Sequence, residues 1–166
     1  LFFAGNQVSD RIYQNMGDFK FEDRTNLGPF KENAGWSSGV SIADVNNDGL
    51  LDIYVCRLWH SLDDEEREKR KNVLYINKGK FEFVESAEAY GLADSGHGTQ
   101  ASFFDYDGDN DLDMFLLNAP SNNYSQKLEY INNNAIPYQH SDKLFRNDGG
   151  KFTDVTKSAG LEDYGF

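Results

Sequence analysis

Residues 44–52 read DVNNDGLLD and residues 105–113 read DYDGDNDLD, so this chain of 166 residues carries two copies of one acidic loop. Oxygen-bearing side chains occupy positions 1, 3, 5 and 9 of both copies. Hard cations such as Ca²⁺ bind about six to eight oxygen atoms, and a tight loop that offers an oxygen at every second residue can surround one ion. The pattern therefore predicts one calcium site in each loop.

Each predicted site combines four side chains with the backbone carbonyl of position 7, as in known calcium loops. The ligands of the first site are Asp44, Asn46, Asp48, Leu50 and Asp52, and those of the second are Asp105, Asp107, Asp109, Asp111 and Asp113. Mg²⁺ and Mn²⁺ also bind oxygen, but the oxygen count and the flexibility of the loops favour Ca²⁺. The alternative is a pair of solvated acidic turns, since Asp, Asn and Gly are common turn residues. Identical ligand spacing in two loops favours the metal sites.

The flanking segments distinguish these loops from an EF-hand, which needs a Glu at position 12 and a helix on each side. Position 12 is Val55 in the first loop and Leu116 in the second. Short apolar runs with β-branched and aromatic residues precede and follow both loops, which is typical of buried strands. Each loop is therefore predicted to join two strands of a hairpin.

A second motif occurs three times, as IYQNMG at 12–17, LYINKG at 74–79 and LFRNDG at 144–149. An aromatic strand is predicted after each copy. Asn and Gly tolerate the positive φ that tight hairpin turns require, so each copy is predicted to form such a turn. A short helical connector that ends at Gly is predicted after the second and third hairpins.

Together these elements form a repeat of four short antiparallel strands in about 60–70 residues, which is the content of one blade of a β-propeller. We therefore expect an all-β chain with three parts: residues 1–34 are the tail of a preceding blade, and residues 35–95 and 96–166 are two fuller blades. These parts cannot close a circle by themselves. We expect an incomplete segment of a larger propeller, and the alternative is that several copies assemble into a ring.

The loop and the turn motif in combination resemble the FG-GAP/VCBS repeats of integrin-α-type propellers, and most closely the bacterial form associated with ASPIC/UnbV domains. The resemblance covers nearly the whole chain. It implies calcium-binding blades in an extracellular, cell-surface or periplasmic protein, with roles such as cell adhesion or carbohydrate binding. The second loop departs from the pattern, because Asn110 stands where the first loop has Gly49. Asn visits the left-handed region, so we expect the turn to be kept.

The net charge of −12 is concentrated in the loops and makes nucleic acid an unfavourable partner, because its phosphates would be repelled. No apolar stretch approaches the roughly 20 residues of a membrane helix, so membrane insertion is not expected. The single cysteine, Cys56, lies in an apolar run and is expected to be a buried structural thiol. Loops without a fixed Glu suit extracellular calcium concentrations.

The sequence indicates no catalytic residues, because its three histidines lack metal-binding spacing and no nucleophile or nucleotide motif occurs. Recognition is expected in two long insertions, where Tyr and Trp suit sugar stacking or protein contact. The candidate ligand-binding residues are Trp59, His60, Tyr124, Tyr130 and Tyr138. The alternative for the insertions is ordinary loops packed by their own tyrosines. The functional alternative is an enzyme, a propeller-type polysaccharide lyase or hydrolase that uses bound calcium.

Overall fold

The computed structural model describes residues 1–6, 8–32, 35–59, 66–119 and 141–161. Within these ranges the chain forms three antiparallel sheets, one after another. Their strands are β1 (Phe2–Phe3), β2 (Arg11–Asn15) and β3 (Phe21–Asp23); β4 (Trp36–Ala43), β5 (Asp52–Leu58), β6 (Val73–Asn77) and β7 (Phe83–Glu85); and β8 (Gly98–Phe104), β9 (Asp113–Asn118), β10 (Lys143–Asn147) and β11 (Phe152–Asp154). Short 3₁₀ helices span Thr25–Leu27 and Pro29–Glu32, and α1 (Arg67–Arg70) and α2 (Ala87–Tyr90) are single helical turns.

The second and third sheets have the same up-and-down order, β4-β5-β6-β7 and β8-β9-β10-β11. Both carry an irregularity at the same place in the first strand, between Ser37 and Gly39 and between Gly98 and Gln100. The first sheet has three strands, and each sheet lies within one of the three ranges expected from the repeats. The prediction of all-β blades with four antiparallel strands is therefore confirmed, and the blades do not close a ring.

The middle sheet is buried on both faces because its strands alternate apolar side chains to both sides. Ile53 and Val55 of β5 pack toward the first sheet, in a cluster that includes Phe30. Tyr54 and Cys56 pack toward the third sheet, in a cluster with Met114, Leu116 and Phe145. The core therefore consists of two layers of side chains between successive sheets, which is how blades stack.

The first strands of the second and third sheets, β4 and β8, lie in close contact. Ser38 Oγ of β4 donates a hydrogen bond to the carbonyl of Gly98 in β8 at 2.6 Å. A Cβ atom placed on Gly39 would lie 2.1 Å from the carbonyl oxygen of Thr99. Only a glycine fits at this crossing, so the backbones of β4 and β8 approach one another closely here.

The connections place the acidic loops and the Asn-Gly turns together. Each acidic loop joins the first strand of its sheet to the second, and each turn joins the third strand to the fourth, so both lie at the same end. The segments that leave β5 and β9 begin at the other end. Helix α2 also lies there and ends at Gly91 with φ 79°, as the sequence predicts. Among the described residues, no helix has the length and apolar character needed to cross a bilayer.

Candidate metal centre

The first acidic loop is closed by its own side chains. The carboxylate of Asp44 accepts hydrogen bonds from the backbone N–H groups of Asp48, at 3.0 Å, and Gly49, at 2.8 Å. The N–H of Leu50 donates to Asp48 Oδ1 at 2.9 Å, and Asn46 Nδ2 donates to Asp48 Oδ2 at 3.0 Å. The four predicted ligands at positions 1, 3, 5 and 7 are thus held in one compact turn.

The second loop is also closed by its first aspartate, which accepts from positions 4 and 6 where Asp44 accepts from positions 5 and 6. Asp105 accepts hydrogen bonds from the N–H groups of Gly108, at 2.7 Å, and Asn110, at 3.1 Å. The N–H of Asp111 donates to Asp109 Oδ1 at 3.0 Å. Position 7 therefore has the same backbone contact in both loops, although its side chain changes from Leu to Asp.

Both loops pass through the left-handed region at positions 4 and 6. The first loop does so at Asn47 (φ 56°) and Gly49 (φ 82°), and the second at Gly108 (φ 83°) and Asn110 (φ 73°). Asn and Gly have exchanged places between the two copies. The expectation that Asn110 keeps the turn is confirmed, and the structure adds the same requirement at position 4.

Three carboxylates of the second loop converge. Carboxylate oxygens of Asp105, Asp107 and Asp109 all lie within 4.8 Å of one another, and all three side chains are exposed. Desolvation and the charges of Asp109 and Asp113 raise the pKa of Asp107. Mutual repulsion of this kind favours a bound cation, and an all-oxygen donor set suits a hard one. The residues present thus fit the calcium site predicted here.

Asp111 directs its carboxylate to the neighbouring hairpin turn. Its Oδ2 accepts a hydrogen bond from Gly149 N–H at 3.2 Å, while its Oδ1 is buried and has no hydrogen-bond partner among the described residues. Desolvation is the main cause that raises the pKa of Asp111. The extra carboxylate of the second loop is therefore a further oxygen that a cation could satisfy.

Position 9 has a second role in both loops. Asp52 and Asp113 are fully buried. Asp52 accepts hydrogen bonds from the N–H groups of Val45, at 3.1 Å, and Asn77, at 2.8 Å. Asp113 accepts the equivalent bonds from the N–H groups of Tyr106 and Asn147, both at 2.8 Å. Burial raises the pKa of Asp52, although these N–H groups oppose the shift. An ionised carboxylate has about four acceptor sites, so capacity for a cation is left.

Asn and Gly have different roles in the turn motif. The residues with positive φ in these turns include Gly17, Gly79 and Gly149, whereas the Asn residues have negative φ. Instead, each Asn accepts a backbone hydrogen bond within the turn: Asn15 from Gly17 (2.9 Å), Asn77 from Gly79 (2.9 Å) and Asn147 from Gly150 (2.7 Å). The predicted hairpin turns are confirmed, with positive φ at the Gly of the motif, while the Asn contributes its side-chain oxygen as an acceptor.

Of the predicted recognition residues, the described part of the chain includes Trp59. Trp59 follows β5 at the end opposite the acidic loops, where its Nε1 donates to Glu66 Oε2 at 2.8 Å and Lys69 Nζ lies 4.9 Å from its ring centroid. His60, Tyr124, Tyr130 and Tyr138 lie outside the described residues. Cys56 is buried as expected, and burial raises the pKa of its thiol to about 12.

Comparison with known proteins supports the repeat assignment. Residues 1–55 match the family of the FG-GAP-like repeat. The match spans the first sheet, the first acidic loop and the start of β5. No curated protein matches the chain. The finer resemblance to the ASPIC/UnbV-associated form is not tested by this match and stays a prediction.

Proposed function

Because the chain carries an FG-GAP-like repeat, we propose that it is a calcium-binding β-propeller segment of a secreted or surface protein and a scaffold for protein or glycan recognition. The observation that supports calcium binding best is the convergence of Asp105, Asp107 and Asp109, whose carboxylate oxygens lie within 4.8 Å of one another. Exposed carboxylates held this close repel one another until a cation is bound.

Each loop would hold one ion through its positions 1, 3, 5, 7 and 9. A bound ion neutralises the carboxylates and ties both strands of the hairpin to one point. Because the compact loop does not exist in the unfolded chain, the free energy of binding adds to the free energy of folding. Calcium is therefore proposed as a structural ion that fixes the blade ends, and the recognition surface is assigned to other parts of the propeller.

Calcium titration by calorimetry, paired with thermal melts in calcium and in EGTA, tests the metal sites. We expect two sites and a melting temperature that rises with calcium, by an amount that corresponds to about 2.7 kcal/mol for each site at a free calcium concentration of a hundred times its Kd. The matched variants Asp48→Asn and Asp109→Asn should each lose one site. No heat of binding, with melts that are the same in EGTA, would reduce both loops to acidic turns.

The proposed partners include further blades. The first sheet has three apolar residues at the register positions that Ile53, Val55 and Phe83 hold in the second sheet. These equivalent residues are Leu1, Phe3 and Phe21. The residues of the second sheet are packed against the first sheet, whereas Leu1, Phe3 and Phe21 are exposed by 62%, 55% and 43%. An apolar face of this composition is typical of a surface that packs against another sheet.

The dye ANS reports whether this face is open. The chain should bind the dye, and Phe3→Lys should reduce the fluorescence, while a control such as Glu22→Lys on exposed β3 should not. A longer chain that supplies the preceding blade should abolish the signal at Phe3. A chain that binds no dye would contradict an uncovered interface.

Recognition of a glycan or protein is proposed for the end of the sheets at which Trp59 lies and from which the chain leaves β5 and β9. Loops on a rigid scaffold are where binding residues concentrate. A glycan array with the calcium-loaded chain would identify a sugar ligand, and product analysis on polyuronides would detect a lyase or hydrolase. Binding that persists unchanged in Trp59→Ala would place the ligand elsewhere.

A further inference from the structure

The side chain of Asn147 joins the two acidic loops. Its Nδ2 donates one hydrogen bond to the carbonyl of Leu112, in the loop of its own sheet, and another to the carbonyl of Val45, in the loop of the preceding sheet, both at 3.1 Å. Asn147 is 1% exposed, and its Oδ1 accepts a hydrogen bond from Gly150. Every hydrogen-bonding atom of this amide is therefore used.

A continuous path connects the position-9 carboxylates of the two loops. Asp113 Oδ1 accepts the backbone N–H of Asn147 at 2.8 Å, and Asn147 Nδ2 donates to the carbonyl of Val45 at 3.1 Å. The N–H of Val45 then donates to Asp52 Oδ2 at 3.1 Å. Val45 and both aspartates are buried, so water does not compete for these bonds.

A second contact lies at the surface. Asn47 Nδ2 of the first loop donates to the carbonyl of Asn110 in the second loop at 3.3 Å. Both residues occupy left-handed positions of their loops, so this contact depends on both loops being closed. The two loops therefore meet at two points, one buried and one exposed.

Asn77 provides an internal comparison. It makes the same contacts within its own sheet: its N–H donates to Asp52 at 2.8 Å, its Nδ2 donates to the carbonyl of Leu51 at 3.1 Å, and its Oδ1 accepts from Gly79 at 2.9 Å. Among the described contacts of Asn77, none reaches the second acidic loop. Asn77 thus holds a loop to its own turn, whereas Asn147 also links two loops.

We propose that Asn147 is a positioning residue that couples the two cation sites, so that calcium in one loop raises the affinity of the other. The inference rests on the proposed calcium binding. Calcium in one loop fixes the position-9 carboxylate of that loop. Through the hydrogen bonds of Asn147, this also restricts the position-9 carboxylate of the other loop. The second ion then orders fewer groups, which is positive cooperativity without a change of fold.

Calorimetric titration of the unmodified chain and of two single-loop variants measures the coupling. Asp48→Asn leaves only the second loop able to bind, and Asp109→Asn leaves only the first. The coupling factor is a ratio of association constants for calcium. Its numerator is the product of the two stepwise constants of the unmodified chain, and its denominator is the product of the constants of the two single-loop variants. We expect a factor of about 10, within the usual range for coupled sites. Asn147→Ala, combined with the same two variants, should bring it close to 1.

The matched control is Asn77→Ala, which removes the same contacts within one sheet but leaves the path between loops. It should keep the factor near 10. Absence of calcium binding in the unmodified chain would overturn the proposed function, and this inference with it. Two sites with a coupling factor of 1 would overturn the inference alone. A factor that survives in folded Asn147→Ala would show that the path does not run through this side chain.

A measurement without substitution of Asn147 covers the case in which that variant does not fold. In Asp48→Asn, calcium is titrated into the second loop while backbone amide resonances are followed by NMR. The Val45 amide of the first loop should shift with the same Kd as the Asn110 amide of the second. A Val45 resonance that stays in place throughout the titration would overturn the coupling.

Discussion

At the scale of single residues, the aspartate at position 9 combines two tasks. Asp52 and Asp113 are predicted metal ligands, and each also accepts backbone hydrogen bonds from its own loop and from the third strand of its sheet. The exposed aspartates at positions 3 and 5 have no such role in the sheet. Removal of these two kinds of aspartate should therefore affect the metal-free protein in opposite directions.

Asp113→Asn should destabilise the metal-free chain by about 1–3 kcal/mol, because one of two buried N–H groups then faces an amide N–H₂ instead of an oxygen. Urea denaturation in EDTA measures the change. The control is Asp107→Asn, which removes one of the mutually repelling carboxylates of the second loop. It should leave the free energy of unfolding unchanged or raise it. Equal loss in both variants would contradict the structural role of position 9.

Cys56 should be inert in the native state. Its thiol is buried, and desolvation is the main cause that raises its pKa to about 12, so the thiolate is a negligible fraction at pH 8. A thiol reagent such as DTNB should react only at the rate of unfolding, and fully in urea. Rapid stoichiometric reaction in native buffer would show that the strand opens far more often than its packing implies.

At the scale of elements, the acidic loop depends on two left-handed positions. Asn and Gly share them in opposite order in the two copies, and no other residue type occupies them in this chain. Gly49 has open space around its Cβ direction, so its requirement is one of backbone conformation and not of packing. Substitutions at this position therefore test the loop geometry separately from its ligands.

Gly49→Ala should destabilise the metal-free chain by about 1–2 kcal/mol, because Ala is strained at positive φ. Gly49→Asn is the matched rescue, since Asn already occupies the equivalent position at residue 110. Denaturant unfolding in EDTA would compare the three proteins. An alanine variant as stable as the original would mean that the loop adopts another conformation without metal.

At the scale of the whole molecule, the acidic charge of −12 acts against the compact state. Causes led by desolvation raise the pKa of Asp10, Asp52, Asp107 and Asp111 in the folded chain. The folded state therefore binds protons more readily than the unfolded state at these groups. The stability that these four groups contribute is present at low pH and is lost as the pH rises through their raised pKa values.

The melting temperature of the metal-free chain should consequently fall as the pH rises above about 4, the usual range of a carboxyl group, and calcium should restore it most at neutral pH. Scanning calorimetry in metal-free buffer, with and without added calcium, measures both effects. A metal-free melting temperature that rises steadily to neutral pH would show that other carboxylates, held by cations as Glu88 is by Lys71, dominate.

The sequence by itself determined the parts of this protein that are local. The loop spacing, the alternation of the strands and the three turn motifs each lie within a few residues, and the structure has the strands and turns where these patterns place them. The left-handed position of Asn110 could be predicted for the same reason, because the first loop has Gly49 at the same position.

Only the tertiary structure decided which groups these local elements meet. Asp52 and Asn77 are 25 residues apart, and Asn147 and Val45 are 102 residues apart. No periodic pattern marks such pairs, because they are set by how one sheet packs on the next. The sequence showed an Asn that recurs in each turn, but its role as a link between loops follows from burial, which leaves its amide only those carbonyls to bond.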